Sequence, residues 1–150
     1  MGRRGIVLLT AMIVAGLLAL GCAEAGGRRE GRITFHEGSG VRYRIAVIAA
    51  EEGTKRPLTP GLSRDGNPSF SPRGDRIAFQ RDGDIWAMNP DGSNEVNLTK
   101  TETYEGCPWF SGDGTRIVFD GLRNEKSDLF VIDADGSNLR RLTRGPGNNA

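Results

Sequence analysis

Apolar residues fall in two patterns along this chain. Ile6 to Leu20 is one run of 15, broken only by Thr10 and Gly16, whereas beyond Gly31 they come in short clusters. Ile77-Ala78-Phe79, Ile117-Val118-Phe119 and Leu129-Phe130-Val131-Ile132 do not alternate with polar residues. A brief, β-branched and aromatic run without alternation reads as a strand covered on both faces. Asp113-Gly114 and Asp135-Gly136 stand between such runs, where Gly reaches positive φ freely and Asp bonds the local backbone. Together these features predict short antiparallel strands joined by tight turns. The 22 glycines and 7 prolines favour that reading over long helices.

The clusters recur in order. Ser69-Phe70-Ser71-Pro72-Arg73-Gly74-Asp75-Arg76-Ile77-Ala78-Phe79 returns 40 residues later as Trp109-Phe110-Ser111-Gly112-Asp113-Gly114-Thr115-Arg116-Ile117-Val118-Phe119. Asp84-Ile85-Trp86-Ala87-Met88 through Asp91-Gly92-Ser93-Asn94 returns 44 residues later as Asp128-Leu129-Phe130-Val131-Ile132 through Asp135-Gly136-Ser137-Asn138, and the offset holds to Leu98-Thr99 and Leu142-Thr143. The four extra residues therefore lie between Phe119 and Asp128, and the sequence predicts a loop over Asp120–Ser127. A weaker copy comprises Gly31 to Phe35, Arg44 to Ile48 and Leu58-Thr59. Length changes confined to connections are what a repeated structural unit shows.

Each unit reads as four strands, in the last copy about Cys107–Phe110, Thr115–Asp120, Asp128–Ile132 and Leu139–Thr143. The first copy lacks an opening strand. Repeats of 40–45 residues, each a four-stranded sheet covered on both faces, are what a propeller provides. The fold class is accordingly all-β, a partial β-propeller of about three four-stranded antiparallel blades. The copies span about 31–59, 67–99 and 107–143, inside a repeat region of 31–144 followed by a disordered tail, 145–150. A closed propeller needs about four blades or more. Uncovered sheet faces thus predict either a truncated reading frame or self-association and further blades that complete a ring.

The phrase Phe70-Ser71-Pro72 through Ile77-Ala78-Phe79, followed by Asp84-Ile85-Trp86 and Asp91-Gly92-Ser93-Asn94, resembles the TolB-type β-propeller repeat. That resemblance implies a periplasmic setting among envelope proteins, outer-membrane lipoproteins included, and the favoured expectation is a non-catalytic module that binds a protein or glycan partner. Similar repeats form the propeller of prolyl oligopeptidase-type hydrolases. The alternative expectation is therefore a detached or truncated propeller portion of such an enzyme.

The N-terminus changes the picture of where the chain works. Arg3 and Arg4 precede the apolar run, and Ala19-Leu20-Gly21-Cys22 ends it. A basic start, an apolar centre and a small residue at the cut describe a secretory signal, residues 1–21. Cys22 after Gly21 resembles a lipobox, which implies diacylglycerol on the Cys22 thiol, a polar linker over 22–30 and a lipid anchor to a membrane. The protein is expected to be exported, to the periplasm or anchored on the cell envelope. Loss of Arg3 and Arg4 takes the formal charge from +1 to −1, which excludes the basic patch that nucleic acid requires.

Little in the chain reads as chemistry. A Ser-His-Asp hydrolase needs a positioned base, and the sole histidine, His36, lies in the weakest copy. Gly38-Ser39-Gly40 lacks the leading glycine of a nucleophile elbow, because Glu37 stands in its place, two residues before Ser39. Cys107 is expected to be a small buried hydrophobe, unpaired if Cys22 carries lipid. Asp133 to Asn138 begins like a calcium loop, but Arg144 stands where the bidentate Glu belongs. The expectation is no enzyme, no catalytic residue, no cofactor and no metal. The contact surface is placed on Gln80–Gly83 and Asp120–Ser127, which differ most between copies.

Overall fold

The structure, a computed structural model, describes residues 31–123 and 126–143. The signal segment, Cys22, the 22–30 linker and the 145–150 tail lie outside the described residues. Three antiparallel sheets follow one another along the chain. The first has strands β1 (Arg32–Ser39), β2 (Arg42–Ala49) and β3 (Lys55–Pro57), in that order. The second orders β4 (Asp65–Phe70), β5 (Ile77–Arg81), β6 (Asp84–Met88) and β7 (Val96–Asn97). The third repeats the plan with β8 (Glu105–Phe110), β9 (Arg116–Arg123), β10 (Lys126–Asp133) and β11 (Arg140–Arg141). The fold is all-β and propeller-like, and its first sheet is short of the opening strand.

The middle sheet shows why its strands carry apolar residues on both faces. Ile77, Phe79 and Met88 bury against Ile45 of the first sheet, with Leu58, Phe70 and Trp86 around them. Ala78, Ile85, Ala87 and Leu98 bury against Phe110, Ile117, Phe119, Phe130 and Ile132 of the third. Consecutive residues of β5 thus belong to different cores, as period-2 strand geometry demands. Each fully buried Ile or Phe is worth about 1.5–3 kcal/mol.

The repeated polar residues close the turns and pin the strands. Ser71 Oγ accepts the Arg76 amide at 3.0 Å, and Ser111 Oγ accepts the Arg116 amide at 3.0 Å. Asp91 and Asp135 each accept both the amide and the hydroxyl of the serine two residues on. In the Leu-Thr pair, the Thr59, Thr99 and Thr143 hydroxyls accept the amides of Ile45, Ile85 and Leu129 at 2.9, 3.0 and 2.9 Å.

Of the loop expected over Asp120–Ser127, the described residues 120–123 and 126–127 are instead strand. Arg123 pairs Lys126 and Leu122 pairs Ser127, so the four extra residues lengthen β9 and β10 by two each. The outermost pair of the shorter hairpin is Arg81 with Asp84. Antiparallel pairing of polar segments satisfies their backbone groups without any apolar face. The last strand is also shorter than expected, Arg140–Arg141 in place of Leu139–Thr143, because only those two residues pair with β10.

Candidate functional site

The two ends of the sheet stack are built differently. One end carries the serine-centred turns of Ser71–Arg76 and Ser111–Arg116 and the Asp-Gly turns after β6 and β10. In the second and third sheets these turns share the same serine–amide and aspartate–serine bonds, with Gly92 at φ 87° and Gly136 at φ 91°. Asp113 belongs to this end. The Ser111 hydroxyl first, then the Thr115 amide and hydroxyl, hold its carboxyl well below the usual aspartate range. Asp133 and Asp135 spend their oxygens on Asn138 and Ser137, so the sequence that begins like a calcium loop is a self-bonded turn. Among the described residues no three His, Cys, Asp or Glu side chains cluster to hold a metal.

The opposite end varies from sheet to sheet. The β1–β2 hairpin reaches to Ser39 and Arg42, and the β9–β10 hairpin to Arg123 and Lys126, whereas the β5–β6 hairpin between them is four residues shorter. The connections into β4 and β8 lie at the same end. Val41 at the first hairpin tip, Leu62 and Tyr104 on the connections, and Leu122 on the third hairpin are all exposed. Arg123 folds its guanidinium back over the Phe130 ring, 5.0 Å from the centroid.

Of the two stretches the sequence singled out, only one is presented. Gln80 and Gly83 are buried in the middle sheet. Gln80 Oε1 accepts from Asn67 at 2.9 Å, and the Gly83 carbonyl accepts the Glu105 amide at 2.7 Å. Asp82 Oδ1 accepts the Arg64 amide at 3.1 Å, so this tip is tied to its neighbours. Leu122, Arg123, Lys126 and Ser127 stand exposed on the other stretch.

A charged girdle beneath the short hairpin escaped the sequence reading. Arg81 donates to Asp65 at 2.7 Å and to Glu95 at 2.5 Å, and its guanidinium lies 5.0 Å and 4.9 Å from the ring centres of Phe79 and Trp86. Burial opposes its charge, but the bonds to Asp65 and Glu95 outweigh that and raise its pKa above the ordinary arginine value. In the third sheet Glu105 takes the place of Asp65, but Gly121 stands opposite it, under the Phe130 ring. Glu105 Oε1 accepts from Thr101 at 2.7 Å, while Oε2 is buried with no protein partner among the described residues.

Cys107 corrects an expectation. It is exposed, not buried, because β8 bulges between Gly106 and Trp109 and gives Cys107 a φ of 49°. Partial burial and the neighbouring Asp120 carboxylate push its thiol pKa up, away from the thiolate that nucleophiles need. His36 is exposed on β1, its ring edge-on to Tyr43 at 5.7 Å, and Ser39 ends that strand opposite Arg42.

No protein-family model matches the chain. It is 36% identical over 93 residues to the Tol-Pal system protein TolB of Gluconobacter oxydans, covering 55% of this chain and 20% of that protein. It is 25% identical over 91 residues to Tricorn protease homolog 1 of Streptomyces coelicolor, 61% of this chain and 8% of that protein. The chain thus spans a fifth or less of those relatives. Among solved structures, TolB from Acinetobacter baumannii superposes with a TM-score of 0.63 at 17% identity, over 76% of this chain and 31% of that one. The three sheets therefore have the fold of propeller blades, and the sequence is similar to TolB-like and tricorn-type β-propeller proteins.

Proposed function

We propose that this chain is a non-catalytic module of the cell envelope, exported, tethered through lipid on Cys22, and binding a protein partner at the variable end of its sheet stack. One observation carries the reading. Val41, Leu62, Tyr104 and Leu122 are exposed at the end where hairpin length varies, on a scaffold whose other end carries matching turns in the second and third sheets. Aromatic and aliphatic side chains on loops over rigid sheets are what protein recognition uses. The likeness to TolB supports an envelope setting, and the Cys22 context supports the anchor.

The test is capture from cross-linked envelope extract with the tagged chain. A Tyr104→Ser, Leu122→Ser variant should lose the captured partner, while Asp135→Asn at the other end should keep it. Equal capture by wild type and the Tyr104/Leu122 variant would reject this surface. Labelled palmitate should enter the wild type and not Cys22→Ala; label in that variant would reject the anchor.

A second reading rests on the likeness to a tricorn protease homolog, in which the sheets are part of a peptidase propeller that admits substrates to a catalytic domain. An in-frame Gly-x-Ser-x-Gly segment in the DNA after Ala150 would favour it.

A further inference from the structure

We propose that two copies of this chain close a ring of six sheets, the β8–β11 sheet of each seated on the β1–β3 sheet of the other. The proposal uses the faces of the stack and is independent of which end binds a partner.

The same seam occurs twice inside one chain. Ile45 and Leu58 of the first sheet lie under Ile77, Phe79 and Met88 of the second. Ala78, Ile85, Ala87 and Leu98 of the second lie under Phe119, Phe130 and Ile132 of the third. Each seam is also locked by a turn glycine. A Cβ on Gly92 would stand 2.7 Å from the Leu58 carbonyl oxygen, and one on Gly136 would stand 3.4 Å from that of Leu98.

The repeat register locates both halves of a third seam that one chain does not join. In the third sheet the places of Ile85 and Leu98 are taken by Leu129 and Leu142, with Val118 and Val131 beside them. Ile85 and Leu98 are 0% and 7% exposed, but Leu129 and Leu142 are 44% and 48% exposed. In the first sheet the places of Ile77, Phe79 and Met88 are taken by Ile33, Phe35 and Ile48, and Ile33 is 53% exposed. One sheet thus offers the lower face of the seam and the other the upper face.

Charge identifies the occupant as a second copy. Arg56 on β3 crosses the first seam and donates to the carbonyls of Pro90 and Asp91, at 3.1 and 3.0 Å, in the turn after β6. Its counterpart on β11 is Arg140, which is exposed. The counterpart of the Pro90-Asp91 turn in the first sheet is Ala50-Glu51, followed by Glu52 where the other turns have Gly92 and Gly136. Arg140 of one copy therefore meets Glu51 and Glu52 of the next, and an ion pair replaces the glycine contact.

Propellers close with about four to eight blades. Two copies bring six of the described sheets, within that range, and satisfy both faces at once.

Sedimentation equilibrium of the full chain in density-matched detergent tests this. Wild type is expected to be a dimer. Ile33→Arg and Leu129→Arg, on opposite sheets, should each weaken it about 100-fold, as loss of a central apolar contact does. Mixing the two variants should restore dimers, because one seam of the mixed pair is wild type. Arg140→Glu should also weaken the dimer, and Glu51→Arg with Glu52→Arg in the same chain should recover it. A wild-type monomer at tens of micromolar would overturn the proposal. So would a dimer indifferent to Ile33→Arg, which would mean β8–β11 sheets paired face to face.

Discussion

Thr59, Thr99 and Thr143 do one job three times: their hydroxyls accept the amides of Ile45 on β2, Ile85 on β6 and Leu129 on β10, the equivalent strand of each sheet. Ile85 is fully buried, so its amide has no recourse to water if that acceptor is removed. Thr99→Val keeps the volume and should cost about 1–3 kcal/mol, the penalty of an orphaned buried donor. Thr143→Val should cost less, since Leu129 and Thr143 are both exposed in one chain; urea denaturation of the two variants checks the difference. The turn aspartates act on pH instead. Asp113 is held below its ordinary value of 3.8 by Ser111 and Thr115, so its folded-state pKa is depressed. A depressed carboxylate contributes stability above its unfolded pKa and loses it as pH falls through the folded one. Acid unfolding should therefore steepen below about pH 3.9, the ordinary aspartate value. Asp113→Asn should flatten that limb while lowering stability at neutral pH, read by circular dichroism across the titration.

At the scale of strands and hairpins, the copies at 40 and 44 residues located the sheets, because the same apolar positions must meet the same neighbours in every copy. What the residues did not disclose was the form of the insertion. Apart from Leu122, residues 120–127 carry no large apolar side chain, so the stretch lacks the alternation that marks a strand, yet 120–123 and 126–127 pair as one. Cys107 was misplaced for a related reason. Composition favours burying cysteine, but a bulge with φ 49° turns this one outward, and nothing in Cys107-Pro108 announces a bulge. Arg81, Asp65 and Glu95 were unread because their partnership depends on pairing across β4 and β5, which one-dimensional spacing does not display. Excising Leu122, Arg123, Lys126 and Ser127 should bring the third hairpin to the length of the second. As those side chains are exposed, stability should change by about 1 kcal/mol or less. Partner capture should fall with the Leu122 surface, and a denaturation midpoint measured beside the capture assay separates the two effects.

For the molecule as a whole, stability is the sum of sheets and of the seams between neighbours, as in other stacked repeats. β5 sits in both internal seams, with Ile77 and Phe79 in one and Ala78 in the other. Its amides should open only with global unfolding and exchange slowest of all. The amides of β11, a two-residue strand at a sheet edge, should exchange fastest in an isolated chain. Ring closure adds a term that depends on concentration, since association stabilises the folded state over the unfolded one. Raising the protein concentration should therefore slow exchange at Leu129 and Leu142, whose amides bond Thr143 Oγ1 and the Leu129 carbonyl. Exchange in β5, which requires global unfolding, should slow as well, because the dimer must dissociate first. Exchange at the two leucines that ignores concentration would mean their face stays open, and the stability of the chain would then rest on its two internal seams.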